Sequence, residues 1–232
     1  MYNYVLLLIP ILFNLKPILL LIEGISLNKN NSYLFNLLRI MTGERILNII
    51  VIIVITSFII KRLKSNKTMK DFIINSIFIS YITILYLLVS YIYIEQFFVI
   101  PVSKPFIPET SLNLIPFANI STLLDSKSAF IQVIGNLFLL SPLSFFICYN
   151  DWHKTFKSTF YKMFLLVLFI ESFQLLQSII NSMYYMTGRK SFDIDDIILN
   201  SLSIIIGLVA YNVLKKVILF IKSVKIVKKT DS

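Results

Sequence analysis

An acidic residue in the middle of an apolar run is the first feature of this chain that demands a chemical explanation. The segment FLLVLFIESFQLLQSIINSM places Glu171, Gln174, Gln177, Ser178 and Asn181 on one stripe, about 120° wide on a helix. A charge at mid-helix in a bilayer costs on the order of 2.5–3.5 kcal/mol, so such a stripe must face protein or a water-filled cavity. A second polar set lies in GRKSFDIDDIILNSLSIIIG, where Asp196, Asn200, Ser203 and Gly207 share one narrow helical face, joined by Asp193 if the helix starts early enough. Asp193, Asp195 and Asp196 stand at that helix's N-terminus, where the macrodipole favours negative charge, and Arg189 lies just upstream. Gln132 and Asn136 are four apart in a third apolar run that continues to Pro142; before it, NLIPFANI carries Asn113, Pro116, Phe117 and Asn119. Carboxylates mixed with amides can hydrogen-bond a sugar or a head group. A buried Glu171 could also serve as a general base. Asp193 and Asp196 could then hold a divalent cation, and Arg189 a phosphate. The plain alternative is that these groups pin helices together, at about 0.6 kcal/mol per interhelical bond on average. Three aspartates at a helix start are in any case ordinary capping chemistry.

The elements that must carry these residues follow from composition. Hydrophobic residues make up 57% of the 232, charged residues 15%, and mean hydropathy is +0.81. Soluble proteins sit near 45–50% and about 25%, and a soluble fold of this size could not bury the excess. The chain therefore reads as all-α, a polytopic bundle of about six transmembrane helices. Apolar stretches fall near 4–22, 46–60, 72–94, 129–148, 163–181 and 197–214, the second short unless its flanks join and the last able to run on to Ile221. Pro10, Asn14, Lys16 and Pro17 interrupt the first, which reads as kinked or partly interfacial, and as retained rather than cleaved. One cysteine, Cys148, and one histidine, His153, exclude a disulfide framework and a zinc cluster. No metal and no cofactor is called for.

The net charge of +10 reads as membrane orientation rather than nucleic-acid binding. Lys61, Arg62, Lys64, Lys67 and Lys70 follow span two; Lys154, Lys157 and Lys162 precede span five; Lys215, Lys216, Lys222, Lys225, Lys228 and Lys229 follow span six. The alternate loops hold half as many: Lys29, Arg39, Arg45, Lys104, Lys127, Arg189 and Lys190. By the positive-inside rule both termini are cytoplasmic. The outer connection 95–128 then carries Pro101, Pro105, Pro108 and Pro116, which makes it a stiff, extended lid. The polar sets converge on one pocket opening outward, with Glu171 at its floor and Arg189, Asp193 and Asp196 at its mouth.

Taken in order, NLIPFANI, GNLFLLSPLSFF, ESFQLLQ and GRKSFDIDDIILNSLSIIIG resemble the VanZ-like membrane proteins, over a stretch from Asn113 to Gly207. The resemblance places the family pattern on Asn113, Pro116, Phe117, Asn136, Pro142, Glu171, Gln174, Arg189, Asp193, Asp196, Asn200 and Gly207. It departs at Ser144 and Ser203, where the family usually has glycine. It divides the chain into an N-terminal transmembrane region (1–98), a VanZ-like domain (99–214) and a basic cytoplasmic tail (215–232). It implies a multi-pass protein of the bacterial plasma membrane, and its founding member is linked to resistance to the glycopeptide teicoplanin.

Three functions compete. The leading one is a non-catalytic envelope protein among membrane lipids, binding a lipid-linked or outer-leaflet molecule in the pocket. The second is an intramembrane enzyme acting on a lipid-linked cell-wall precursor, for which no strong nucleophile or catalytic spacing is visible. The third is a small-solute transporter, for which no internal repeat or matched pair of broken helices is visible.

Overall fold

The computed structural model describes residues 2–27, 32–63, 68–93, 112–117, 127–152, 155–183 and 191–230. Among these, six helical stretches are long and apolar enough to cross a membrane: Val5–Ile25, Met41–Ile60, Met69–Val89, Ala129–Tyr149, Phe156–Ser182 and Ile194–Ser223. The all-α, six-span expectation holds. In hydrocarbon every backbone N–H and C=O must bond within its own segment, and a helix meets that demand locally. Residues with flanking charge extend the apolar runs at their ends. The short second run does join its flank, because α2 covers Ser32–Ile60 and takes Glu44 and Arg45 into the helix. The last helix runs beyond Ile221, to Thr230.

The chain divides into two units, Met1–Leu112 with Ser172–Phe192, and Asn113–Glu171 with Asp193–Ser232. The first opens with a 3-10 turn (Tyr2–Leu7) and α1 (Leu8–Leu27), which packs with α2 and with α3 (Met69–Val89). Their shared core includes Leu6, Ile52, Phe78, Ile79 and Ile82. In the first span helix continues through Pro17. Asn14 is buried there, its amide donating to the Pro10 carbonyl at 2.9 Å within the same helix. The start of α3 is a capping box: Thr68 Oγ1 accepts the Asp71 N–H, and Asp71 accepts the Thr68 N–H, both at 3.1 Å.

The carbonyls just past α3 are held by three side-chain amides. Asn48 Nδ2 donates to Ile92 at 2.8 Å, Gln174 Nε2 to Val89 at 3.3 Å and Gln177 Nε2 to Tyr91 at 2.7 Å. Asn48 Oδ1 also accepts the Tyr86 hydroxyl at 2.6 Å and the Ile92 N–H at 2.9 Å. Where helix ends inside an apolar environment, the freed backbone groups need such partners. Burial and the Glu44 carboxylate it bonds push the Tyr91 phenol up to about 12.

The second unit contains α4 (Lys127–Leu139), α5 (Ser141–Tyr149) and α7 (Ile194–Thr230). It also holds the first part of α6 (Phe156–Ser182), and α7 packs along both α4 and α5. Two short strands, β1 (Leu112–Asn113) and β2 (Phe192–Asp193), pair with each other. Pro142 accounts for the break between α4 and α5. It lacks an N–H for the Phe138 carbonyl and sits where a helix start tolerates it. Ser141 Oγ takes that carbonyl at 2.9 Å instead. The buried N–H of Leu140 is accepted by Ser203 Oγ of α7, also at 2.9 Å.

Candidate functional site at the start of the last helix

Polar residues of the second unit gather where β2 turns into α7. Asp193 is buried, and its Oδ1 accepts Asn113 Nδ2 at 3.0 Å and the Asp195 N–H at 2.8 Å. Asp195, buried as well, accepts the Phe117 N–H at 2.5 Å. Asp196 accepts the Asn136 amide from α4. Glu171 is 1% exposed, and its Oε2 accepts the Asp193 N–H at 3.3 Å. Four carboxylates are thus held by one turn of loop, one amide from α4 and the N–H groups that open α7, an end where the helix dipole favours negative charge.

The loop these acids hold is a tight turn. Asn113 Oδ1 accepts the Ile115 N–H at 3.4 Å, and Phe117 adopts a left-handed φ of 65°. Such a φ is unfavourable for a side chain of this size, and the Asp195 bond to the Phe117 N–H holds it in place. The turn leaves Leu114, Ile115 and Phe117 exposed beside the carboxylates, at 57, 71 and 59%. Pro116, between them, is exposed as well.

Of the residues read from the sequence, Asn113, Phe117, Glu171 and Asp193 therefore meet in one bonded network, and Asn136 and Asp196 form a bonded pair next to it in the chain. Asp195, which was read only as part of a capping run, belongs to the network too. Its signal was the third acid in FDIDD. Gln174 is directed elsewhere, to the Val89 carbonyl, so the stripe of span five splits just after Glu171. Gln132 is exposed and does not join Asn136. Arg189, Asn119 and the outer segment 95–111 with its prolines lie outside the described residues. Among the described residues no group of three or more His, Cys, Asp or Glu side chains is arranged to hold a metal ion.

The remaining positions shape the face on which α7 meets the broken span. Pro142 makes the break. Gly207 is buried, and a Cβ there would collide with the Ser141 carbonyl and the Ser144 hydroxyl. The two departures from the family's glycines both do defined work: Ser203 accepts the Leu140 N–H, and Ser144 Oγ donates to the Ile204 carbonyl at 3.0 Å. Asn200, on the same face, is 4% exposed, and its Oδ1 has no partner among the described residues. The residue that sequence reasoning missed altogether is Asn48, the one amide inside the apolar run of span two.

Six helices long and apolar enough to cross a membrane define a multi-pass membrane protein. The model of the VanZ/LLP1 family matches residues 72–215, spanning both the α3 region and the whole acidic cluster. The chain belongs to the VanZ/LLP1 family. No curated protein and no solved structure shows a match to it.

Proposed function

We propose that the protein binds an outer-leaflet or lipid-linked molecule of the bacterial envelope at the start of α7, without catalysing a reaction on it, and thereby influences susceptibility to teicoplanin. The observation that carries this reading is the gathering of Asn113, Asn136, Glu171, Asp193, Asp195 and Asp196 at one helix end, beside three exposed apolar residues. Carboxylates and amides suit the hydroxyls of a sugar or the amine of a head group, and the apolar turn suits an acyl or polyprenyl chain. The lysine distribution supports an outer location for this end. A catalytic base would need to reach a substrate, whereas Glu171 is buried and bonded to backbone.

The test is teicoplanin susceptibility in a deletion strain of the host, complemented with wild type, Glu171→Gln, Asn136→Ala or Asp196→Ala at equal membrane levels. Binding predicts that Glu171→Gln keeps most of the effect, since an amide oxygen still accepts the Asp193 N–H, and that the two alanine variants lose it. Loss through Glu171→Gln alone, in a folded protein, would favour acid–base chemistry. Full activity of both alanine variants would place the site elsewhere, and indifference to deletion and expression would end the teicoplanin connection.

A further inference from the structure

A second polar site lies at the far end of the same unit. A cavity of about 330 Å³ is bounded by the end of α5, the start of α6 and the middle of α7. Its walls include Lys215, Asp151, Asn212, Tyr211, Thr155 and Cys148. Lys215 lies 19 residues beyond Asp196 in one continuous helix. At 1.5 Å per residue that is about 28 Å, close to the ~30 Å hydrocarbon thickness of a bilayer. A bilayer with the acidic cluster at one head-group level therefore has this cavity near the other. Beside it α7 exposes Val209, Val213 and Leu214, residues suited to acyl chains.

Asp151 is held there at some expense to the backbone. The end of α5 is a Schellman motif, with the Trp152 N–H on the Ile147 carbonyl and the Asp151 N–H on the Cys148 carbonyl, both at 3.1 Å. Asp151 occupies the left-handed position of that motif, φ 54°, where glycine is the usual residue. A carboxylate kept at a glycine position, on the wall of a cavity that also holds a lysine, marks a place for opposite charges on one small ligand.

We propose that this cavity seats the head group of an amine-bearing phospholipid, its phosphate against Lys215 and its ammonium against Asp151. The site goes beyond the binding function proposed above and does not depend on it. The native Cys148, the chain's single cysteine, reports occupancy, because it lines the cavity. The experiment measures alkylation of Cys148 by N-ethylmaleimide, with the full chain in nanodiscs of phosphatidylglycerol with or without phosphatidylethanolamine. Phosphatidylethanolamine should slow alkylation by about tenfold, the worth of one charge-assisted hydrogen bond. Asp151→Gly should remove that protection without lowering the thermal midpoint in phosphatidylglycerol discs, and Lys215→Gln should weaken it. Glycerophosphoethanolamine added to phosphatidylglycerol discs separates the sources. Equal protection by this soluble compound assigns the same chemistry to a soluble ligand, and protection by the lipid alone assigns it to the bilayer. Equal rates in both lipid compositions without the soluble compound protecting, or protection that survives Asp151→Gly, would overturn the proposal.

Discussion

Replacing Gly207 by alanine tests the contact between α7 and the broken span, because contact and helix propensity predict opposite signs. In an open helix, glycine to alanine gains about 1 kcal/mol. At Gly207 the new methyl meets the Ser141 backbone carbonyl and the Ser144 hydroxyl, and the carbonyl cannot rotate away as a flexible side chain would. Overpacking of this kind costs about 1–3 kcal/mol. Displacing Ser144 also endangers its 3.0 Å bond to the Ile204 carbonyl, worth about 1 kcal/mol. Setting the propensity gain against these losses leaves a net destabilisation of about 1–3 kcal/mol. Gly135 supplies the internal control. It lies in α4, and a Cβ there has nothing within 4 Å, so Gly135→Ala should be neutral or up to about 1 kcal/mol stabilising. The assay is reversible denaturant unfolding in detergent micelles, followed by far-ultraviolet circular dichroism and by Trp152 fluorescence. A Gly207→Ala protein as stable as Gly135→Ala would refute the close approach of α7 to the start of α5.

Two further substitutions probe the partners supplied where helices break. Ser203→Ala removes the acceptor of the Leu140 N–H and should cost about 1–3 kcal/mol, with faster amide exchange at Leu140 as its local signature. Asn48→Leu keeps the apolar volume but strands the Tyr86 hydroxyl and both backbone groups of Ile92. It should cost about 3 kcal/mol in the same unfolding assay, and a neutral result would dissociate Asn48 from the end of α3.

The spans were readable because hydrocarbon leaves the backbone so few choices: an apolar run of sufficient length must be helix. Their ends were less readable, since charged residues such as Glu44 and Arg45 can continue a helix into the interface without lengthening the apolar run. The face Asp196–Asn200–Ser203–Gly207 was readable from its spacing alone, and α4 and α5 receive three of its four members. Periodicity failed for the stripe of span five. It places Glu171 and Gln174 on one side of a helix, yet cannot say that one bonds the Asp193 N–H and the other the Val89 carbonyl. Asn48 escaped notice because a lone amide in an apolar run has no spacing partner. Its partners are backbone groups, which carry no residue signature.

One physical rule connects these particulars. At the break between α4 and α5 and at the end of α3, side chains take over bonds that the backbone has lost: Ser141 for Phe138, Ser203 for Leu140, and Asn48, Gln174 and Gln177 for the carbonyls of Ile92, Val89 and Tyr91. These five polar residues inside the spans are thereby accounted for without any ligand. The carboxylates at the start of α7 are a different case. One side-chain oxygen could have capped that helix end, and a single acid would have served its dipole. Instead Asp193, Asp195 and Asp196 follow one another closely and Glu171 reaches them from another helix, beside a turn whose left-handed phenylalanine is held against its own preference. Negative charge gathered beyond what capping requires, beside a strained apolar turn, is the part of this protein for which packing offers no sufficient reason, and it is there that binding is to be sought.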